Sequence, residues 1–267
     1  GTPTIAFDPT GRYAYLTCMG WSGDEDEGLD GQPKRVYLAP HAVYRVDLQA
    51  SAAERAQPLR PFIGDPSVPG AEPNRLTEPR GLAVDAAGKI YVADTGNHRI
   101  AAFNPDGTPA GSMAIHQPVQ IEGDPKRGRL YVLSLEAQQS LLSRFEGVGA
   151  GAAKADRTLA LPDWSWGLMA LDRSAAEPRL VICGVVPKDK AGMHEVLAID
   201  DTEGGFANRG SPIAEAGLEF LNKRESLPSL GDIWVDPEGT TVSVRGAAAN
   251  AETGEPLANS LPARQRV

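Results

Sequence analysis

Cysteine is nearly absent from this sequence, and two residues, Cys18 and Cys183, cannot build a disulfide framework. Each sits in an apolar, strand-like run ("YAYLTCM" and "RLVICG"), so both read as buried thiols that behave as small hydrophobes. They leave the redox compartment open. Histidine is scarce too: His41, His98, His116 and His194 form no H-x-H or HExxH pair of the kind that binds zinc. No apolar stretch approaches the roughly 20 residues of a membrane-spanning helix. Lysine and arginine form no run longer than two residues, too short for a phosphate track, and the net charge is −9. A general nucleic-acid binder needs a basic face to displace counterions, and this composition excludes one. No Ser-His-Asp order, glycine-rich phosphate loop or Cys-His pair stands out.

What the chain has in quantity is glycine and proline, 29 and 22 among 267 residues, beside only 6% aromatics. Spread evenly, they point to many tight turns between short strands. A hydrophobic content of 41% with 23% charged residues is ordinary for a folded protein with a substantial core.

One pattern recurs: apolar-x-apolar-Asp, a turn with glycine, then a β-rich run. It reads "IAFDPTGRYAYLT" from Ile5, "LAVDAAGKIYVAD" from Leu82, "IEGDPKRGRLYVLS" from Ile121 and "IWVDPEGTTVSV" from Ile233. A weaker copy with a longer turn, "LMALDRSAAEPRLVIC", starts at Leu168. The marker aspartates are Asp8, Asp85, Asp124, Asp172 and Asp236. The two middle intervals match the roughly 40–50 residues of a four-stranded propeller blade. The first and last are longer, and residues 21–33 and 203–228 read as insertions.

Further strands follow each pair, as in "RIAAFNPDG" then "TPAGSMAI", or "HAVYRVDL" then "PLRPFIG". Such a unit cannot bury both its faces alone, so the copies must pack face to face. We expect a propeller over residues 1–246, with blades near 1–76, 77–116, 117–161, 162–228 and a partial one at 229–246. Residues 247–267 have little strand character and read as an irregular tail or the start of a further segment.

"EPRGLAVDAAGKIYVADTGNHRIAAFNPDG", residues 78–107, resembles an NHL repeat, the blade unit of NHL-type β-propellers. The matching features are Pro79 and Gly81 before the first strand, Asp85, Gly88, "IYVAD" and "GNHRI". The other copies keep the first half of the pattern. The resemblance implies an all-β propeller of NHL type, six-bladed when complete, with about four to five blades in this chain. It also implies that this chain is part of a larger protein.

Within that repeat, Asp94, Asn97 and Arg99 crowd a polar turn containing Gly96. Asp and Asn at such turns bond nearby backbone amides, and an adjacent Arg reaches the carboxylate. Those requirements belong to the fold, so the three are expected to be structural and no catalytic residue is assigned. Asp24, Asp26 and Asp30 have the alternate spacing of a calcium loop, but the twelfth position is Arg35 where a bidentate Glu is needed. No cofactor is expected; the three aspartates read first as part of a solvated acidic insertion, with calcium binding there as the alternative. His41 and His116, at strand boundaries, are the first choices should ligands from different blades meet on the axis, as in NHL-like lyases that use a central metal, but ordinary hydrogen-bonded histidines are the favoured reading.

Residues just before each innermost strand line the central mouth of a propeller, where ligands and partners bind. Here these are Arg80, Gln120, Trp164, Trp166 and Asp232. Aromatics flanking Ser165 can stack on a sugar or grip a peptide, or else pack between blades. The expected function is therefore recognition of a protein, peptide or glycan by a rigid scaffold. The alternative is an enzyme, a metal-dependent lyase or lactonase-like hydrolase working in the central channel. A third reading is a module of a large extracytoplasmic bacterial protein, with which the Gly-, Ala- and Pro-rich acidic composition is compatible.

Overall fold

The computed structural model describes residues 4–17, 41–137, 139–146, 154–161, 167–172, 176–185, 194–211, 233–235, 241–244 and 247–250. The chain divides into two compact units, the first running through Pro118 and the second starting at Val119.

The first unit contains two four-stranded sheets in which consecutive strands are neighbours. One comprises β1 (Thr4–Phe7), β2 (Tyr13–Thr17), β3 (Ala42–Asp47) and β4 (Pro61–Gly64). A one-turn helix, Ala52–Arg55, interrupts the connection before β4 and is closed by a capping box between Ser51 and Glu54. The other comprises β5 (Pro79–Val84), β6 (Ile90–Asp94), β7 (Arg99–Phe103) and β8 (Pro109–Ala114). All pairings within these two sheets are antiparallel. Strand β6 is buried at every residue. Its apolar run "IYVA" is what a strand covered on both faces requires. The core joins Tyr15, Val43 and Ile63 of the first sheet to Leu82, Ile90, Val92 and Phe103 of the second, with Leu76 from the intervening loop.

The second unit holds β9 (Pro118–Asp124), which enters it at Val119, then β10 (Arg129–Glu136), β11 (Gln139–Glu146) and β12 (Arg157–Leu161) in one sheet. A second sheet has β13 (Gly167–Asp172), β14 (Arg179–Val185), β15 (His194–Thr202) and β16 (Gly205–Asn208). A third has β17 (Ile233–Val235), β18 (Thr241–Val244) and β19 (Ala247–Asn250). Tyr131, Leu133 and Leu142 pack against Met169, Leu180, Ile182 and Ile199 to fill the core. Cys183 is buried within it as a free thiol, and Cys18 lies outside the described residues.

The fold is thus all-β and built from blades of one design. Three of the recurring aspartates cap the turn between the first two strands of a sheet. Asp8 accepts from the amides of Thr10 at 3.2 Å and Tyr13 at 2.6 Å. Asp85 accepts from Ala87 and Lys89, both at 2.9 Å, and from the Tyr91 hydroxyl at 3.0 Å. Asp124 accepts from Lys126 at 3.1 Å. Gly11, Gly88 and Gly128 occupy the corresponding left-handed position, with φ of 70°, 81° and 65°. Asp236 lies outside the described residues.

One expectation needs correcting. The segment from residue 247 was read as irregular, but Ala247–Asn250 is β19, paired antiparallel with β18. Its sequence, "AAAN", has weak strand propensity and no alternation, so the ladder with β18 rather than local preference makes it a strand.

Candidate functional site

The polar turn of the NHL-like repeat organises one end of the first unit. Asp94 closes β6 with its side chain fully buried. Its Oδ1 accepts from the Thr77 amide at 2.7 Å, and its Oδ2 from Asn97 Nδ2 at 2.8 Å and Arg99 Nε at 2.7 Å. Asn97 and Arg99 then reach out to the loop preceding β5. Asn97 Nδ2 donates to the Gly70 carbonyl at 2.7 Å. Arg99 donates to the carbonyls of Ala71 at 2.7 Å, Glu72 at 3.1 Å and Arg75 at 2.8 Å. A single buried carboxylate thereby orients the guanidinium that holds a long loop, residues 65–78, in one conformation. Gly96 is required at close quarters, because a Cβ there would come within 2.9 Å of the Thr77 carbonyl oxygen.

Two of the four histidines are equivalent in this frame. His41 immediately precedes β3 and His98 immediately precedes β7, the third strands of their sheets. His41 Nδ1 accepts from the Glu78 amide at 3.3 Å, and His98 Nδ1 accepts from the Gln117 amide at 3.2 Å. Glu78 and Gln117 each stand before the proline that opens a first strand, Pro79 and Pro118. Both are left-handed, with φ of 51° and 36°, and His98 itself has φ of 53°. Non-glycine residues in that region carry a conformational cost and cluster at functional loops. The His98 ring also stacks on His116, with centroids 4.8 Å apart. Glu78, His98, His116 and Gln117 are all exposed. Sequence reasoning singled out the histidines individually and missed Glu78 and Gln117, whose only signal is their place before proline.

Of the residues expected at the mouth, Arg80 lies half-buried on β5 in the first unit. Its carbonyl accepts from the Thr17 hydroxyl. Its Nε is buried without a hydrogen-bond partner among the described residues. Gln120 is half-buried on β9 in the second unit. Trp164, Trp166 and Asp232 lie outside the described residues, as do Asp24, Asp26 and Asp30 of the acidic insertion. Of His194 only the backbone, at the start of β15, is described. Among the described residues no group of three or more His, Cys, Asp and Glu side chains is placed to hold a metal ion. No helix among them is long and apolar enough to cross a membrane.

The family model of the NHL repeat matches residues 76–103, which include β5 to β7 and the Asp94 turn. Comparison with curated protein sequences finds no match. Among solved structures, the chain is similar to a gluconolactonase of Xanthomonas campestris. That likeness has 12% identity and a TM-score of 0.55, and covers 95% of this chain and 73% of that one. A protein provisionally assigned as a gluconolactonase is similar at 12% identity and a TM-score of 0.53, over 95% of this chain and 75% of that one. The Dos1 propeller is similar at 8% identity and a TM-score of 0.52, over 96% of this chain and 61% of that one. At these identities the likeness is one of fold. Together the comparisons show a β-propeller fold in a chain that carries an NHL repeat at residues 76–103.

Proposed function

We propose that this NHL-type β-propeller is a binding scaffold that presents a loop-built face to a protein, peptide or glycan partner. The observation that carries the reading is the rigid end of the first unit. Buried Asp94, through Asn97 and Arg99, fixes the loop of residues 65–78 beside the exposed His98 and His116. Long ordered loops held on a rigid sheet are where recognition residues concentrate, because preorganisation removes the entropic cost of ordering them on binding. Glu78, His98, His116 and Gln117 supply charge, donors and flat rings to such a partner. Arg80, whose Nε is buried without a hydrogen-bond partner among the described residues, belongs to the proposal as a mouth residue. Gln120, Trp164, Trp166 and Asp232 belong to the same proposal as mouth residues of their own blades.

A second reading fits the fold equally well: a lactonase-like hydrolase, favoured by the likeness to the Xanthomonas gluconolactonase. Two assays on the purified chain separate them. The binding reading expects reproducible, saturable ligands on peptide or glycan arrays, and hydrolysis of gluconolactone at the buffer rate with calcium, zinc or manganese added. Gluconolactone turnover that saturates with substrate and rises with one of these metals would replace it by the enzyme reading.

A further inference from the structure

The second unit has a cavity of about 430 Å³ lined by Arg127, Arg129, Arg144 and Arg157, with Asp201, Glu177 and Glu203 among the remaining walls. Four arginines meet around one cavity in a chain of net charge −9, and Asp124, Glu146 and Asp156 each pair with at least one of them from outside its lining. Strand register produces it. Tyr131 pairs with Arg144 across β10 and β11, and Arg144 pairs with Arg157 across β11 and β12. Arg129 opens β10, and Arg127 lies in the turn before it.

Two arginines directly opposite each other repel unless an anion is shared between them. Asp201 of β15 is that anion. Arg144 Nη1 donates to both of its oxygens at 2.8 Å, Arg157 Nη1 to Oδ1 at 2.9 Å, and Arg129 Nη1 to Oδ2 at 3.2 Å. The Tyr131 hydroxyl donates to Oδ2 at 2.8 Å. Burial pushes the Tyr131 pKa up, and the Asp201 carboxylate that its hydroxyl bonds pushes it further in the same direction. Burial works against the Arg144 cation, but bonds to Asp156 and Asp201 outweigh it and raise its pKa. Tyr131 therefore stays a neutral donor and Arg144 a cation, both bonded to the one buried carboxylate.

The cluster also leaves donors over, none of them buried without a partner. Among the described residues nothing accepts from Arg127 Nε, Arg129 Nη2 or Arg157 Nε. Among the described residues Arg157 has no carboxylate partner besides the shared Asp201, and it also donates to the Thr202 and Glu203 carbonyls. Preorganised guanidinium forks are suited to the planar or tetrahedral oxygens of carboxylates and phosphates. The volume lies within the range of small-molecule sites and exceeds what a lone inorganic ion fills.

We infer that this cavity binds a small organic molecule carrying at least two negative charges on oxyanion groups, either a phosphorylated sugar or a compact polycarboxylate. The site is separate from the loop face proposed above and stands or falls independently of it. The test is isothermal titration of the full chain with glucose 6-phosphate, citrate, inorganic phosphate and glucose, all at matched ionic strength.

The expected result is saturable binding of glucose 6-phosphate or citrate, the preferred one identifying the oxyanion class, with weaker binding of inorganic phosphate and none of glucose. Arg157→Gln lowers affinity at least tenfold. Because that change also loosens Asp201, the double variant Glu177→Gln/Glu203→Gln provides a second reading on exposed positions, and its affinity rises severalfold. Heat signals no larger than those of a chloride control would overturn the site. So would affinities that neither variant changes.

Discussion

His98 Nδ1 accepts the backbone N–H of Gln117 at 3.2 Å, repeating one blade later the bond that His41 Nδ1 accepts from Glu78 at 3.3 Å. In each case the residue before a third strand holds the left-handed residue that leads into the next sheet. His41→Ala and His98→Ala remove an acceptor from a strained corner. Each is expected to lower the unfolding free energy by about 1 kcal/mol, the usual value of one such bond. Urea unfolding measures it, and unchanged midpoints for both would show that the corners hold themselves.

Asp94 matters more, because its carboxylate is fully buried and its Arg99 partner nearly so. Removing one member of a buried pair leaves the other uncompensated, at a cost of about 3–5 kcal/mol. Asp94→Ala is expected in that range by chemical denaturation. Arg99→Lys is expected to fall short of wild type as well, since an ammonium cannot reach three carbonyls and the carboxylate together. A loss below about 1 kcal/mol for Asp94→Ala would mean the loop is held by something else.

Gly96→Ala probes the same turn sterically. A methyl group there meets the Thr77 side chain and carbonyl, so the loop must shift or the turn must open. The expected destabilisation is about 1–3 kcal/mol, as for other overpacked sites. Increased amide exchange over residues 70–77 should accompany it, and unaltered exchange there would argue against the contact.

Asp200 on β15 carries a pH signature. Burial alone would raise its pKa, but hydrogen bonds from Arg179 at 2.7 Å and Arg209 at 2.8 Å outweigh it and hold the carboxyl below its ordinary value near 3.8. A carboxylate with a depressed folded-state pKa stabilises the fold above the unfolded-state value, and that contribution fades as pH falls through the folded-state value. The stability gap between wild type and Asp200→Asn should therefore be constant from about pH 5 to 8 and close in more acid solution. Thermal melts across that range check it, and a gap that persists undiminished in acid would contradict it.

Much of the fold was legible because its units repeat the same local chemistry. The marker aspartates and the left-handed glycines of "DPTG" and "DAAGK" announce a tight turn wherever they occur, and buried middle strands such as "IYVAD" show as apolar runs. Strand β19 was hidden because alanine carries almost no strand signal, leaving only its pairing with β18 to define it. The turn residues Asp94, Asn97 and Arg99 could be named from sequence, but their carbonyl partners at Gly70 to Arg75 could not, since those bonds follow from how the loop returns to the sheet. The arginine cavity was invisible for a similar reason. Its cations come from a turn and three different strands, and only sheet register and Asp201, far away in sequence, bring them to one place.

The central claim is that the loop end of the first unit is a recognition face, and Glu78 tests it most directly. Its side chain is exposed while its structural bond is made by the backbone amide, so Glu78→Lys reverses a charge on the face without removing the bond to His41. The measurement is the affinity of wild type and Glu78→Lys for the strongest array-selected peptide or glycan, with thermal stability recorded alongside. The account predicts at least a tenfold change in affinity at unchanged melting temperature. Equal affinities for the two proteins would contradict it.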